Sequence, residues 1–258
     1  MNPAELAIVF GIGLFFAMLV CLEAGFRLGR RDAFRHPEYS HQGIGAIEAA
    51  VFALLGLLLG FSFAGGTSRL DARRELIVKE TNAIGTAYLR LDLLSPTDQP
   101  EIRRLFREYL DARLRAYDKL PDQNAATREL LHATQLQQDI WNKVVAFSRA
   151  DSTQNVARLL LPALNDMIDV TTSRTIALHT HLPSLILVLL ISVALLSGLL
   201  AGYAMAERKS RSRMHMFLYA IVVSITVYAV MDLDYPRSGL IRLTAADGAM
   251  QQLRDSIR

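Results

Sequence analysis

Polar residues inside an apolar stretch are the first candidates for chemistry in this chain. Glu48, Ser62 and Thr67 interrupt the second long hydrophobic run, and Phe61 and Phe63 flank Ser62. A carboxylate is costly in lipid, so we expect Glu48 to face either a protein partner or a wet cavity that ions or protons cross. The two phenylalanines either pack between subunits or narrow a conduit. The candidate pore-lining or gate residues are Glu48, Gly60, Phe61, Ser62, Phe63 and Thr67.

A second group of charged side chains lies just outside the apolar runs. Arg69 and Arg73 follow the second run, and Asp166, Asp169 and Arg174 precede the third. Charges in such places form either a solvated helix face or a vestibule that attracts ions. These five residues are the vestibule candidates.

The residue types that catalysis or metal binding needs are scarce. Cys21 is the only cysteine, so the chain forms no intrachain disulfide. His36 and His41 lie in a loop without further ligands, and His179 and His181, two residues apart, point to different sides of a helix. The apolar runs contain no histidine and no carboxylates at ligand spacing. We therefore predict a protein that is not an enzyme and holds neither a metal nor a cofactor.

The distribution of apolar residues predicts a membrane protein. Hydrophobic residues make up 52% of the 258 residues and are concentrated in four blocks. The formal charge of +3 is small, and no basic face carries base-stacking aromatic residues, which excludes nucleic acid as a partner. We expect the lipid bilayer to be the surroundings of all four blocks.

Four predicted spans and one insertion organise the chain as an all-α fold. The spans cover about residues 6–28, 43–64, 185–206 and 216–233. The first two form a transmembrane hairpin within residues 1–66, and the last two form another within residues 183–235. Residues 67–182 read as a helical bundle outside the membrane, and residues 236–258 as a C-terminal tail with a weakly amphipathic helix.

Small residues at four-residue spacing predict close packing between helices. Gly56, Gly60 and Ala64 share one face of the second span, and Gly198 and Gly202 share one face of the third. Such faces let two backbones approach each other within a membrane. We expect them to pack helices within a homo-oligomer.

The second span continues into the bundle without a proline. Phe63, Leu70, Ile77, Ile84 and Leu91 recur every seven residues along this segment. A seam with this repeat can face one partner along its length. We therefore predict one long helix that crosses the membrane boundary.

Loop charges give a topology. The short loops, residues 29–42 and 207–215, are rich in arginine and lysine, whereas the N-terminal segment has none. The positive-inside rule then places both loops in the cytoplasm and the helical domain outside it, in a bacterial inner membrane.

Three motifs resemble those of a bacterial family of uncharacterised membrane proteins with a bestrophin-like domain. They are GFSFAGGTSRLDARRELIVKETNAIGTAYLRLD (residues 60–92), LLPALNDMIDVTTSRT (residues 160–175) and MDLDYPRSGLIRL (residues 231–243). The resemblance implies four spans, a helical domain between the second and third, and a ring of subunits around an anion pore. The acidic calcium clasp of bestrophins is not found. Bestrophins also hold the domain in the cytosol, opposite to the topology that the loop charges predict.

Two functional classes fit these observations. The first is an oligomeric channel for inorganic ions, anions by the resemblance, with the second span lining the pore. The second is a membrane-anchored sensor or scaffold with a helical extracytoplasmic domain and no enzymatic activity.

Overall fold

The structure, a computed structural model, describes residues 3–35, 44–119, 122–150, 154–207, 212–235, 241 and 244–257. These residues form helices and connecting turns, with no strand among them, which confirms the predicted all-α class. The helices are α1 (Pro3–Arg35), α2 (Ile44–Leu89), α3 (Gln99–Asp118), α4 (Gln123–Ala150), α5 (Leu161–His179), α6 (Ser184–Glu207), α7 (Arg213–Asp234) and α8 (Thr244–Ser256).

Four helical stretches are long and apolar enough to cross a membrane. They are Ala7–Phe34, Gly45–Leu93, Val156–Ala206 and Arg213–Asp234. Each overlaps one predicted span, so four membrane-spanning helices are confirmed as an element of the fold. Residues 36–43, which include His36 and His41 of the first short loop, lie outside the described residues, as do residues 208–211 of the second loop.

The chain divides into two compact units. The membrane unit comprises Met1–Ser68 and His181–Ile241, and the helical unit comprises Arg69–Thr180 and Arg242–Arg258. The α2 helix supplies residues up to Ser68 to the first unit and its remainder to the second. The α2 helix therefore continues without interruption from the residues of the first unit into those of the second, as predicted.

In the membrane unit, α1 packs against α6 and α7. Gly25 and Gly29 on α1 and Gly202 on α6 lie at a very close crossing of these two helices. A Cβ atom at Gly25 would overlap the carbonyl oxygen of Leu199, and one at Gly202 would overlap that of Leu22. Two helices approach this closely only where the side chain is a hydrogen atom.

The helical unit has its own hydrophobic core, to which α2, α3, α4, α5 and α8 contribute. Leu70, Ile77, Ile84 and Leu91 of the predicted seam are all buried, whereas Phe63 is 47% exposed. A straight α-helix drifts by only about 20° per heptad, so Phe63 and Leu70 share a face, and their difference in burial reflects what packs on that face at each level. The seam therefore serves the helical unit and ends before the membrane segment.

The π-helical turn Val156–Leu160 stands immediately before α5, where Pro162 occupies the first turn. Proline cannot donate the backbone hydrogen bond and crowds the carbonyl four residues earlier. A wider turn accommodates both constraints. Pro162 thus accounts for the π-helical turn at this position.

The C-terminal segment differs from the separate tail that the sequence suggests. The α8 helix packs on α3, and its Met250 and the following Ile257 are buried in the core of the helical unit, with Leu253 packed beside them. These three residues lie on one face of α8, at spacings of three and four. The Arg254 guanidinium also binds both carboxylate oxygens of Asp111, at 2.5 and 3.1 Å. One short apolar face and one forked ion pair thus join the segment to the bundle.

Candidate functional site

The membrane segment of α2 has one covered side and one open side. Leu55 and Ser62 are buried on the covered side, and Phe52 there meets Tyr219 of α7 with ring centroids 6.1 Å apart. The open side carries a stripe of small side chains at spacings of three and four residues, with the exposed Leu54 and Leu57 beside it. The stripe consists of Ala46, Ala49, Ala53, Gly56, Gly60 and Ala64, all exposed. A Cβ atom at Gly56 or Gly60 would meet nothing within 4 Å. This small-residue face is thus left uncovered by the residues that the structure describes.

The structure separates the predicted pore residues between the two sides. Glu48 and Ser62 precede and follow Leu55 by seven residues and share its covered side, where Glu48 is partly buried. Gly60 belongs to the small-residue face, and Thr67 continues it, with its hydroxyl donating to the carbonyl oxygens of Phe63 and Ala64 at 3.0 and 2.9 Å.

Phe61 and Phe63 flank the small-residue face. Phe61 is 68% exposed and Phe63 is 47% exposed. Successive helix residues are about 100° apart, so these two rings lie on opposite borders of the stripe that Gly60 and Ala64 mark. They are the largest apolar groups beside the uncovered face at this level.

The vestibule candidates lie in the helical unit, and most of them are not free surface charges. Asp166 and Asp169 are exposed, Arg69 is partly buried, and Arg73 and Arg174 are each only 3% exposed. Asp166 and Asp169 are therefore the two vestibule candidates that water reaches directly.

Arg73 holds the end of α5. Its Nε donates to the carbonyl oxygen of Ala177 at 3.1 Å, and its Nη2 donates to that of Thr180 at 2.8 Å. The last carbonyls of a helix have no partner within the helix and carry partial negative charge, which a cation stabilises. Arg73 thus joins α2 to the C-terminus of α5.

Arg174 belongs to a buried charge cluster with Glu80 of α2 and Arg113 of α3. Arg113 Nη2 lies 2.7 Å from Glu80 Oε1, and Arg174 Nη1 pairs with Glu80 Oε2. Glu80 is fully buried and the two arginines are nearly so. Although burial raises the pKa of Glu80, the charges of Arg113 and Arg174 outweigh it and hold that pKa below its usual range. The cluster ties three helices together through ionised groups.

Aromatic and polar side chains enclose this cluster. The Arg174 guanidinium lies 4.2 Å from the ring centroid of Tyr117, whose hydroxyl accepts a hydrogen bond from Arg113 Nη2 at 2.8 Å. Gln137 of α4 donates to the hydroxyl oxygens of Tyr109 and Thr171, both at 3.1 Å. Burial of Tyr109 raises its pKa, so its hydroxyl stays neutral and available as a hydrogen-bonding group. All four bundle helices therefore contribute to one polar core.

Sequence reasoning missed Glu80 and Arg113, although a signal existed. Glu80 follows Ile77 by three residues and precedes Ile84 by four, which places a carboxylate within the buried seam of α2. Arg113 similarly stands four residues from both Tyr109 and Tyr117 on the apolar stripe of α3. A charge at a core position of two neighbouring helices indicates a buried ion pair.

Two buried aspartates, Asp232 and Asp234, lie in the last turn of α7 in the membrane unit. Asp234 Oδ2 accepts a hydrogen bond from the backbone N–H of Leu182 at 2.5 Å, and Asp232 Oδ2 accepts one from that of Ile241 at 2.9 Å. The aspartates thus hold the chain where it enters α6 and where it leaves α7. His181 stacks on Tyr235 beside them, with ring centroids 4.6 Å apart. Across the described ranges, no three His, Cys, Asp or Glu residues are placed to hold a metal ion.

Comparisons with known proteins agree on the fold. The family model described as "Bestrophin-like domain" matches residues 10–247. A mutant of a bacterial bestrophin homologue from Klebsiella pneumoniae is similar in structure, with a TM-score of 0.67, 14% identity and 97% of each chain covered. A structure of a bacterial bestrophin homologue from the same organism, solved by Zn-SAD phasing, has a TM-score of 0.66 and 14% identity, with 95% of this chain and 97% of that chain covered.

No curated protein matches the sequence. The structural likeness, at this low identity, shows a shared fold. The family model, by contrast, extends over nearly the whole chain, as the three sequence motifs imply. The chain belongs to the family of proteins with a bestrophin-like domain.

Proposed function

We propose that this protein is the subunit of a homo-oligomeric ion channel and that the small-residue face of α2 lines its pore. One observation carries the proposal. In the most apolar window of α2 only 11% of the residues are buried, against 22% to 50% in the other three candidate spans. The span that its own chain covers least is the one with most surface left for neighbouring subunits and for a pore.

The side chains of this face suit a conduit better than they suit lipid. Alanine and glycine leave the helix backbone accessible, and a ring of subunits with such faces inward leaves room at its axis. Bulky apolar residues are the usual lipid-facing choice, and the exposed leucines of this segment, Leu54 and Leu57, lie beside the stripe and not on it. Phe61 and Phe63 at its borders supply an apolar neck that would gate by dewetting.

Anion preference is part of the proposal. The stripe from Ala46 to Ala64 carries no carboxylate, and Glu48 lies on the covered side instead. A cation-selective pore ordinarily presents a ring of acidic side chains to the ions. An uncharged lining agrees with the anion pore that the resemblance to bestrophins implies.

Gly60→Leu is expected to lower single-channel conductance severalfold, because one isobutyl group per subunit would enter the pore at the level of the phenylalanines. The measurement is the conductance of purified oligomer in a planar bilayer under a salt gradient, which also gives the reversal potential. Gly13→Leu on α1 is the matched control, since a Cβ atom there also meets nothing within 4 Å.

Equal conductance in the two variants, with the oligomer intact, would exclude the small-residue face as the pore lining. A reversal potential on the cation side would contradict the anion preference alone. Silence of demonstrably oligomeric protein in several lipid mixtures would favour the sensor or scaffold instead.

The location of the helical unit outside the cytoplasm remains part of the proposal and rests on loop charge. Cys21 is the only cysteine, so Cys21→Ala provides a background for single-cysteine labelling. In spheroplasts, a membrane-impermeant maleimide is expected to label Asn124→Cys and to leave Met214→Cys unlabelled until the membrane is permeabilised. Asn124 and Met214 are both exposed. The reverse pattern would establish the bestrophin topology, with the helical unit in the cytosol.

A further inference from the structure

Two adjoining depressions form a groove along the outer side of α1. The first, about 390 Å³, is polar and is lined by Glu23, Phe26, Arg27 and Arg30. The second, about 410 Å³, is mainly apolar and is lined by Phe16, Leu19, Val20, Glu23, Ala24 and Arg27. Glu23 and Arg27 line both, so the groove changes from apolar to charged along one helix.

The polar half has an excess of positive charge. Arg27 Nε donates to Glu23 Oε1 at 2.8 Å, which leaves its terminal nitrogens directed to solvent on a side chain that is 77% exposed. The Arg30 guanidinium lies 6.0 Å from the ring centroid of Phe26, which fixes it beside the same depression. Two guanidiniums therefore face one carboxylate, and planar guanidinium groups bind phosphate through paired hydrogen bonds.

The apolar half extends from Phe16 to Arg27, which at about 1.5 Å per residue is about 16 Å and matches one leaflet. At about 1.5 Å per residue, Phe16 stands about 10 Å from Glu23 and about 21 Å from Arg30. One leaflet contributes about 15 Å of hydrocarbon. A phosphate bound at the arginines would therefore place a chain along Phe16 and Val20, both of which are well exposed.

We propose that this groove binds an anionic phospholipid. Its phosphate oxygens accept hydrogen bonds from Arg27 and Arg30, and one acyl chain packs along Phe16, Leu19 and Val20. A soluble anion would use only the polar half and leave the apolar half empty. A second copy of the chain fits the groove less well, because it would bury the two guanidiniums against its own protein surface. The inference concerns α1 alone and holds whether or not the protein conducts ions.

The test measures lipid retention on the oligomer. Purified protein is reconstituted with equal amounts of phosphatidylglycerol and phosphatidylcholine, extracted in mild detergent, and examined by native mass spectrometry. We expect the wild type to retain phosphatidylglycerol preferentially. Each arginine beside an anionic lipid contributes about a fivefold factor, so Arg27→Gln with Arg30→Gln is expected to lower retention about 30-fold. Arg104→Gln with Arg107→Gln, on α3 of the helical unit, removes the same charge and should change nothing.

Three results would overturn the proposal. The first is equal loss of phosphatidylglycerol in the two double variants, since general charge would then explain it. The second is equal retention of phosphatidylcholine by the wild type. The third is displacement of the lipid by millimolar inorganic phosphate, which would reveal an anion site without a role for the acyl chain. Each readout is a lipid count, so none of these results bears on conductance.

Discussion

Glu80→Ala is expected to destabilise the helical unit by about 3–5 kcal/mol, because it leaves two guanidiniums buried without their carboxylate. Arg113 and Arg174 are each 3% exposed, so water cannot replace the lost partner without opening the bundle. Trp141 is the only tryptophan and packs against the core of the helical unit. Its fluorescence during denaturant unfolding of the full protein therefore reports this unit.

Two control variants separate the charge cluster from ordinary side-chain loss. Glu108→Ala removes a carboxylate whose exposed partner is Arg104, one turn earlier, and should cost at most about 0.5 kcal/mol. The triple substitution Glu80→Leu, Arg113→Met and Arg174→Leu removes every charge of the cluster. It is expected to restore most of the stability, as substitution of a whole buried ion cluster by apolar residues often does. A loss for Glu80→Ala no larger than that for Glu108→Ala would contradict the interpretation.

The pKa of Glu80 determines how the stability of the helical unit changes as pH falls. The pKa of Glu80 is lower in the folded protein than in the unfolded chain. Its contribution is then complete above the unfolded pKa and is lost as pH falls through the folded pKa. We expect the wild type to lose stability in acid below the usual glutamate range. The Glu80→Ala variant should lack that part of the pH profile.

The sequence predicts the elements of this fold well because their signals are local. Uninterrupted helix formers and the absence of proline indicate that α2 continues past the membrane segment, and it does so to Leu89. The buried seam through Ile77 and Ile84 follows from the same periodicity. By contrast, the periodicity places Glu80 within this seam but does not identify its partner Arg174, which is 94 residues away. Partners so distant in the chain are determined by tertiary packing, which periodicity does not report.

The glycines of the spans also show which features can be predicted from the sequence and which depend on tertiary packing. Four-residue spacing correctly draws attention to small residues, but it does not distinguish a face packed within the chain from one left open. Gly198 and Gly202 lie against α1, whereas a Cβ atom at Gly56 or Gly60 would have no described residue within 4 Å. Gly25 and Gly29 have the same spacing and escaped attention, because they stand among the arginines at the end of the first span. Only the helix that crosses each glycine reveals its role.

Gly202→Ala and Gly25→Ala are each expected to destabilise the membrane unit by about 3 kcal/mol or more, at or above the upper end of overpacking costs. The added methyl would overlap a backbone carbonyl oxygen of the facing helix, Leu22 in one case and Leu199 in the other. A side chain could rotate away, but a backbone cannot, so α1 and α6 must separate and lose contacts along their whole crossing. The measurement is the fraction of detergent-solubilised protein that remains monodisperse after heating.

Gly56→Ala and Gly60→Ala are the matched controls, because they add the same methyl to the same residue type within a span. Neither methyl would come within 4 Å of another residue in the described part of the chain, so the heat resistance of the dissociated subunit should match that of the wild type. If Gly25→Ala and Gly60→Ala behave alike in the subunit, the close crossing of α1 and α6 is not what stabilises the membrane unit. If Gly60→Ala alters only the oligomer, the small-residue face packs between subunits, which would favour helix packing over pore lining as the role of this face.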